Sequence, residues 1–247
     1  MRRFTRPDLP DNVISALATK QAIANDKRAT GVLDVQATWK TARGTTPLQT
    51  VLSTLKGMTG IRERCMYCGD SHGTDIEHFW PKTPYPERMF HWPNLLLCCT
   101  DCGRIKGMDF PLRSDLPLLI DPTVEDPWLY LDFDPATGNI VARFRPAAGV
   151  WEEKGEQTVE VLELDRREAL AAGYQKTFRR LSDRVAGFLN EPSSDIPTFI
   201  RALSEDDEHG LLGWCFRGAG QHIAPFSDLQ NRNPVAWARC VNAFANY

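Results

Sequence analysis

Long hydrophobic runs are missing from this sequence: no stretch approaches the roughly 20 apolar residues that a membrane-spanning helix requires. The basic segment at residues 1–6 is not followed by an apolar run, so the chain does not begin like a secretory signal. Internal repeats, low-complexity tracts and the glycine-rich Walker motif of nucleotide-binding loops are also missing. These absences predict a soluble, cytoplasmic protein without a membrane segment or a nucleotide site of its own.

The sequence also lacks a surplus of positive charge. It carries 29 basic and 32 acidic residues, a net charge of −3, and residues 61–112 contain six basic and seven acidic side chains. Phosphate neutralisation supplies most non-specific affinity for nucleic acid. The charge therefore argues mildly against tight autonomous DNA binding and leaves room for a partner that delivers the substrate.

The composition is that of an ordinary globular protein, with 42% hydrophobic and 25% charged residues over a length of 247. Patterning predicts three regions: an N-terminal helical segment at 1–60, a small metal-stapled unit at 61–112 and an α+β or helical region at 113–247. In the first region Thr46-Pro47 is a helix-start signal, in which the Thr46 hydroxyl would cap the helix and Pro47 would take its first position. A helical face is predicted there from Leu48, Val51, Leu52 and Leu55.

Several elements are predicted beyond residue 112. Trp128–Phe133 and Asn139–Phe144 flank a five-residue turn and indicate a β-hairpin, and alternation over Thr158–Leu164 indicates a third strand. Residues 165–168 resemble a capping box that opens a long helix to about Leu189. A loop over 190–194 precedes two or three further helices, the last of them opened by Asn233-Pro234 and ending near Tyr247.

Cysteine is scarce and unevenly distributed. Seven are present, an odd number, and five of them fall within 38 residues, which suits a metal site better than a disulfide framework. Cys215 and Cys240 lie apart in apolar surroundings, which predicts buried and inert thiols.

Two CxxC pairs, Cys65/Cys68 and Cys99/Cys102, form the strongest single signal. Each pair predicts a tight knuckle that presents two thiolates to one tetrahedral Zn²⁺, and the thirty residues between the pairs become an insert held at both ends by the metal. Cys98 adjoins the second pair and is expected to face the core. The cysteines alone favour a purely structural zinc knuckle.

The insert changes that interpretation. It contains Glu77 immediately before His78, Asn94 sixteen residues after the histidine, and a predicted basic helix that starts at the second CxxC pair. This order and spacing resembles the HNH (His-Me finger) nuclease motif.

The resemblance extends to the HNH nuclease subunit of Septu-type anti-phage systems and retron-associated relatives, the PtuB-like proteins. It covers roughly residues 60–190, weakly the first sixty residues and not clearly the last fifty. The segments that carry it are Tyr67-Cys68-Gly69, Asp75-Ile76-Glu77-His78, Pro81-Lys82, Lys106-Gly107, Phe110-Pro111, Leu119-Ile120-Asp121-Pro122, Thr137-Gly138 and Leu162-x-Leu164-Asp165-Arg166.

The resemblance implies an α+β fold in which N-terminal helices precede a zinc-stapled ββα-metal (HNH) core, followed by a C-terminal β-hairpin and a helical region. Glu77-His78 is expected near the end of the first strand and Asn94 on the returning segment. The helix of the core is expected to begin between Cys99 and Cys102.

The resemblance also implies a mechanism. A divalent ion, Mg²⁺ or Mn²⁺, would contact the scissile phosphate, with Glu77 as its carboxylate ligand. His78 would be the general base, and Asn94 would hold His78 in place by bracing the connection between the strands. Three basic residues are candidates for phosphate contact, with ordinary solvated charge an equal alternative: Lys82, Arg104 and Lys106.

One position departs from the family pattern. Members carry His or Asn directly after the last cysteine as a second metal ligand, whereas this chain has Gly103, which cannot ligate. The ion would then be held by Glu77 and water, with help from His91 or Asp75, or the site is weakened or inactive. His91 is the replacement to test first, although a surface histidine in a loop is the plainer interpretation.

The function predicted from the sequence is a metal-dependent endonuclease that hydrolyses phosphodiester bonds in DNA as the effector of an anti-phage complex. The resemblance implies a partner ATPase of the ABC/SMC type (PtuA-like), since any nucleotide sensing has to come from another chain. Two alternatives stay open. One is a catalytically weakened HNH-like zinc module that binds a partner or nucleic acid, and the other is an RNase, because nothing identified in the site distinguishes the sugar.

Overall fold

The computed structural model describes residues 1–191 and 195–245, and the chain folds into two compact units. The N-terminal unit comprises Thr5–Tyr67 and Ser71–Pro117, and the C-terminal unit comprises Met1–Phe4, Cys68–Asp70 and the chain from Leu118 onward. Within the described residues, helices alternate with four small antiparallel sheets of two strands each. The expected α+β class is therefore confirmed. No helix in this part of the chain is both long and apolar enough to cross a membrane.

Three helices open the N-terminal unit: α1 (Asp11–Ala29), α2 (Val35–Ala42) and α3 (Thr46–Thr59). Helix α2 begins where the Asp34 carboxylate accepts a hydrogen bond of 2.8 Å from the Ala37 backbone N–H, an N-cap that satisfies one of the free donors of the first turn. At the start of α3 the residue preceding the helix is Thr45 and Thr46 already belongs to it, so the predicted Thr46 cap is wrong by one residue.

The predicted apolar face of α3 is confirmed for three of its four residues, and Leu52 is half-buried. Leu48, Val51 and Leu55 are completely buried, because their three- and four-residue spacing places them on one side of the helix. Burial of each such side chain stabilises the fold by about 1.5–3 kcal/mol. This face and the buried strand residues described next form the core of the unit.

A short hairpin follows the first CxxC pair. Strand β1 (Asp75–His78) pairs antiparallel with β2 (Leu95–Cys98), so that Glu77 lies opposite Leu96 and His78 opposite Leu95. Helix α4 (Thr100–Lys106) starts two residues after β2. The strand, return strand and helix thus occur in the order expected from the sequence.

The remaining strands of the N-terminal unit are β3 (Leu112–Arg113) and β4 (Leu116–Pro117). The C-terminal unit begins with β5 (Leu131–Phe133) paired with β6 (Ile140–Ala142), followed by β7 (Phe144–Arg145) paired with β8 (Val150–Trp151). The predicted hairpin around residues 134–138 is confirmed, with strands shorter than the sequence pattern suggests.

The predicted third strand is wrong, because residues 158–162 belong to helix α5 (Glu153–Leu162). Its buried residues are Gly155, Thr158, Val159 and Leu162, which follow helical spacing. A Cβ on Gly155 would lie 2.1 Å from the Tyr130 carbonyl oxygen, so only glycine allows this approach. The Val-Glu-Val alternation is compatible with the two-residue period of a strand and with the 3.6-residue period of a helix. The close contact of Gly155 with Tyr130 selects the helix.

Five helices complete the C-terminal unit with α5: α6 (Glu168–Asn190), α7 (Ile196–Asp206), α8 (Leu212–Arg217), α9 (Phe226–Arg232) and α10 (Pro234–Ala243). The extent of α6 is confirmed, but the capping box is wrong because Arg167 occupies the cap position and makes no side-chain cap bond. After α6 the described residues contain four helices, where the sequence predicts two or three. Asn233 caps α10 as predicted, whereas most of the predicted 190–194 loop and Tyr247 lie outside the described residues.

Candidate metal centres and the groove beside them

Four thiols come together in one buried cluster. The sulfur atoms of Cys65, Cys68, Cys99 and Cys102 all lie within 4.8 Å of one another. A tetrahedral zinc ion with Zn–S bonds of about 2.3 Å holds its sulfurs roughly 3.8 Å apart, which this spacing can accommodate. The donor set fits a structural Zn²⁺ with all four positions filled by protein.

The local backbone explains how the knuckles form. Cys99 is the N-cap residue of α4, and its sulfur accepts a hydrogen bond of 3.4 Å from the Cys102 N–H. In the first knuckle, Cys65 N–H donates to the Ser71 carbonyl and Met66 N–H donates to the Leu97 carbonyl, each over 2.9 Å. A hydrogen bond to sulfur favours the thiolate that a metal requires.

Cys98 borders this cluster without belonging to the group of four. It is buried, as the sequence predicts, and its sulfur lies 3.9 Å from the Cys65 sulfur and 3.3 Å from the Cys99 carbonyl oxygen. Cys215 and Cys240 are also buried, and burial raises the pKa of both thiols, that of Cys240 to about 12. The prediction of buried thiols at these two positions is confirmed.

Glu77 lies in β1 and faces α4. Its Oε1 accepts a hydrogen bond of 3.0 Å from the Lys106 ammonium, which also donates to the His78 carbonyl over 3.0 Å. The Lys106 side chain is 0% exposed. The sequence leaves phosphate contact and ordinary solvated charge as equal alternatives for Lys106, and neither describes this structure, where the ammonium is a buried counter-ion of Glu77.

Gly103 lies next to the second oxygen of the same carboxylate. A Cβ built on Gly103 is 3.5 Å from Glu77 Oε2 and 3.8 Å from the Cys98 sulfur, an ordinary van der Waals separation. The position where the HNH pattern carries a second ligand is therefore adjacent to Glu77. With glycine there, this position contributes no side-chain ligand atom.

His78 is enclosed at the end of β1. Its imidazole is 2% exposed, its Nε2 lies 3.0 Å from the Met89 carbonyl oxygen, and the Trp39 ring meets it edge-on with 4.3 Å between centroids. Burial lowers the pKa of His78 to about 3, helped by the positive charges of Lys82 and Lys106 and opposed by the bond to Met89. The ring is therefore neutral, with the proton on Nε2 directed at Met89 and a lone pair on Nδ1.

Asn94 joins the two ends of the long β1–β2 connection. Its Oδ1 accepts from the Trp80 N–H over 2.7 Å, and its Nδ2 donates to the carbonyl oxygens of Trp80 and Arg88 over 3.1 and 3.0 Å. Phe79 N–H also donates to the Asn94 carbonyl over 2.9 Å. These hydrogen bonds connect the two ends of the β1–β2 connection through one residue.

A groove of about 730 Å³ opens beside Glu77 and Gly103. Two of the residues predicted to contact phosphate, Lys82 and Arg104, line it together with Asp75. Burial lowers the pKa of the Lys82 ammonium. His91 is not among the described residues that line this groove. It is exposed and precedes the short 3-10 helix Trp92–Asn94, so the structure does not bring this tentative ligand to Glu77.

Helix α2 supplies groove residues that the sequence did not identify as functional. Gln36, Lys40 and Arg43 line the groove, and Trp39 contacts both the groove and His78. The Asp34 cap signal and the Trp39-Lys40 pair mark this helix in the sequence, but nothing local relates it to a motif forty residues away.

A second polar network, also not predicted, holds the segment that follows Cys68 in the C-terminal unit. Tyr174 Oη donates to the Cys68 carbonyl over 2.9 Å. The buried His209 lies 3.0 Å from Asp70 Oδ1 through Nε2 and 2.7 Å from Thr177 Oγ1 through Nδ1. These contacts position the chain immediately beyond one zinc-ligand candidate.

Comparison with known proteins gives one partial similarity. No protein-family model matches the chain. Over 112 residues it is 30% identical to the Septu protein PtuB of Bacillus thuringiensis, a match that covers 43% of this chain and 38% of that protein. The chain thus matches well under half of the length of this relative. The similarity supports a relationship to Septu-type defence proteins.

Proposed function

We propose that this protein is a metal-dependent endonuclease with an HNH-type site that hydrolyses phosphodiester bonds in DNA and acts in anti-phage defence. The observation that carries the proposal is the juxtaposition of Glu77 with Gly103 beside the groove. A carboxylate and the usual second-ligand position then face each other, with His78 next in the chain and the cysteine cluster adjoining the helix. The partial similarity to a Septu protein supports the defence role.

The residues present fit a weakly held hard cation. Glu77 Oε2 is a carboxylate oxygen in a groove open to solvent, and Asp75 lies on the same lining. Mg²⁺ typically keeps several waters and needs few protein ligands when a substrate phosphate completes its shell. When bound, the ion supplies charge stabilisation at the scissile phosphate and the leaving oxygen.

His78 would act as general base. In the hydrolysis a water oxygen forms a bond to phosphorus, its proton passes to the imidazole, and the bond from phosphorus to the leaving oxygen breaks. The hydrogen bond to Met89 fixes the proton on Nε2 and leaves Nδ1 as the accepting nitrogen. Asn94 positions His78 indirectly, because it clamps the connection that also carries Met89.

Trp39 covers the base in this conformation. With His78 only 2% exposed, water reaches the imidazole only after Trp39 or the histidine moves. Exposure to water would also raise the pKa of His78 toward 6.5, where a histidine works best as a base at neutral pH. The closed arrangement is consistent with a nuclease that has low activity until substrate or a partner engages it.

The test is a plasmid-nicking assay in millimolar Mg²⁺ and, separately, Mn²⁺. We expect wild type to nick, and His78→Ala and Glu77→Gln to lose nicking by about 100-fold or more, as general-base removal typically costs. His222→Ala, which removes an exposed histidine from the other unit, is the matched control. Zinc content must stay unchanged in all variants, and nicking that is indifferent to His78 or persists in excess chelator would refute the proposal.

The second candidate function is a catalytically weakened zinc module that binds a partner or nucleic acid. Two observations favour it: the missing ligand at Gly103 and the enclosure of His78 under Trp39. Binding without nicking in either metal would support this alternative. The same assay with RNA of matching sequence tests the RNase interpretation.

The proposed defence role includes a second chain. We infer an ABC/SMC-type ATPase partner from the partial similarity to a Septu protein. Any nucleotide sensing would come from that chain, since this sequence contains no Walker motif. Co-expression with an ATPase encoded beside the gene should give a stable complex and raise nicking of the same plasmid.

A further inference from the structure

We propose that helix α2 forms one wall of a nucleic-acid-binding surface, with Lys40 and Arg43 binding backbone phosphates of a polynucleotide that lies in the groove. The inference deepens the proposed nuclease function and rests on it for the identity of the groove. It names residues that lie outside the cysteine and histidine motif.

The first support is the alignment of α2 along the groove. Gln36 and Lys40 lie four residues apart on α2, and Arg43, the C-cap residue with helical backbone angles, follows three residues later, so the three form one stripe and all line the groove. The start of α4, with Thr100 and Arg104, contributes another part of the same lining.

The second support is the local charge. Four cationic side chains line the groove, against the carboxylates of Asp75 and Glu77: Lys40, Arg43, Lys82 and Arg104. Lys106 contacts Glu77 from the buried side and neutralises part of its charge. The groove is therefore positive although the whole chain carries a net charge of −3. Such a concentration of one sign in a cleft attracts a polyanion.

The third support is that Lys40 and Arg43 have no strong ion pair that a phosphate would have to displace. Lys40 is exposed and makes no ion pair within the residues that the structure describes. Arg43 Nη1 lies 3.8 Å from Asp75 Oδ1, and the two side chains are 61% and 58% exposed, which makes the pair weak. A phosphate could instead accept two charge-assisted hydrogen bonds from the Arg43 guanidinium.

The alternative explanation is that Lys40 and Arg43 are ordinary solvated charges. A matched double variant separates the two. Lys27 and Arg28 are also exposed, lie in the last turn of α1 in the same unit, and include one arginine paired to a carboxylate, Glu87. Lys40→Gln/Arg43→Gln and Lys27→Gln/Arg28→Gln therefore remove the same charge from two different helices.

The experiment measures binding of a labelled 30-base-pair duplex, as DNA and as RNA, to zinc-loaded protein by fluorescence anisotropy without added Mg²⁺ or Mn²⁺ at several salt concentrations. Zinc content and circular dichroism verify that each variant is folded. We expect the α2 double variant to bind about tenfold or more weakly on any sequence, with a salt slope smaller by about 1 per lost phosphate contact. The α1 double variant should bind like wild type. The variant Lys40→Arg/Arg43→Lys keeps both positive charges and should retain most of the wild-type affinity.

The outcomes distinguish this inference from the nuclease proposal. Equal binding by the α2 variant and wild type overturns the α2 surface even if wild type nicks plasmid. Absence of wild-type binding to both duplexes at 50 mM salt also overturns it. Binding that depends on α2 without nicking in Mg²⁺ or Mn²⁺ retains the surface and refutes the nuclease. A loss confined to one duplex supports the surface and identifies that polymer as the ligand.

Discussion

At the scale of single residues, the proposed divalent-ion site beside Glu77 can be tested at Gly103. A Cβ at this position has room and lies 3.5 Å from Glu77 Oε2. Gly103→Asn should therefore add a ligand oxygen beside the carboxylate and tighten Mn²⁺ binding by about tenfold or more, measured by titration calorimetry on zinc-loaded protein. Gly103→Ala is the control, since it fills the same space without a ligand atom, and equal affinities for the two variants would contradict the geometry.

Asn94 gives a second prediction at this scale, about stability. Asn94→Ala removes three partly buried hydrogen bonds to the backbone of Trp80 and Arg88, at a cost of about 0.5–1.5 kcal/mol for each. Urea unfolding of the zinc-loaded protein should show the loss. Asn94→Asp keeps the acceptor for Trp80 N–H but sets a carboxylate oxygen against two carbonyl oxygens, so it should also be less stable than wild type. An unchanged midpoint for the alanine variant would argue against the bracing role.

At the scale of elements, the β1–β2 hairpin depends on the cysteine cluster. Each strand has four residues, and an isolated two-stranded hairpin is marginal in water. Removal of zinc, or Cys65→Ser, should therefore expose the hairpin amides to rapid hydrogen exchange, because metal binding and folding are coupled in small sites. Cys240→Ser, at a cysteine outside the cluster, is the control. A metal-free protein with an intact hairpin would show that the apolar core alone holds these strands.

Helix α2 gives the second prediction at this scale, because it places Trp39 over His78. Diethyl pyrocarbonate should modify the exposed His91 readily in wild type and His78 only slowly, as mass spectrometry of digested protein would show. Trp39→Ala should accelerate modification of His78 and leave the rate at His91 unchanged. Equal rates at the two histidines in wild type would mean that the base is open.

At the scale of the whole molecule, all seven thiols are buried but for different reasons. Five lie in or beside the metal cluster, whereas Cys215 and Cys240 are enclosed by packing and burial raises their pKa. Zinc-loaded native protein should therefore react slowly with Ellman's reagent at every thiol. After addition of a strong chelator, the cluster cysteines should react first with the reagent. The other two cysteines should react only after denaturant is added. Early reaction of Cys215 would contradict its placement.

Local signals in the sequence predicted much of the fold and of the candidate site. The two CxxC pairs, the apolar face of α3 and the hairpin around residues 134–138 depend on neighbours close in sequence, so spacing alone identifies them. The strand predicted over 158–164 is wrong because a short segment can fit the period of a strand and that of a helix equally well. Close packing of Gly155 on Tyr130 selects the helix.

The sequence by itself determined which residues are candidates for a metal site and for the proposed hydrolytic site, because such candidates are identified by side-chain chemistry and by spacing within one motif. Only the tertiary structure decided which side chains lie next to one another. It buried Lys106 against Glu77, left His91 away from the groove, placed Trp39 over His78, and brought Lys40 and Arg43 of α2 to the groove. These relations join residues tens of positions apart, and packing of helices against the hairpin sets them, which no local pattern records.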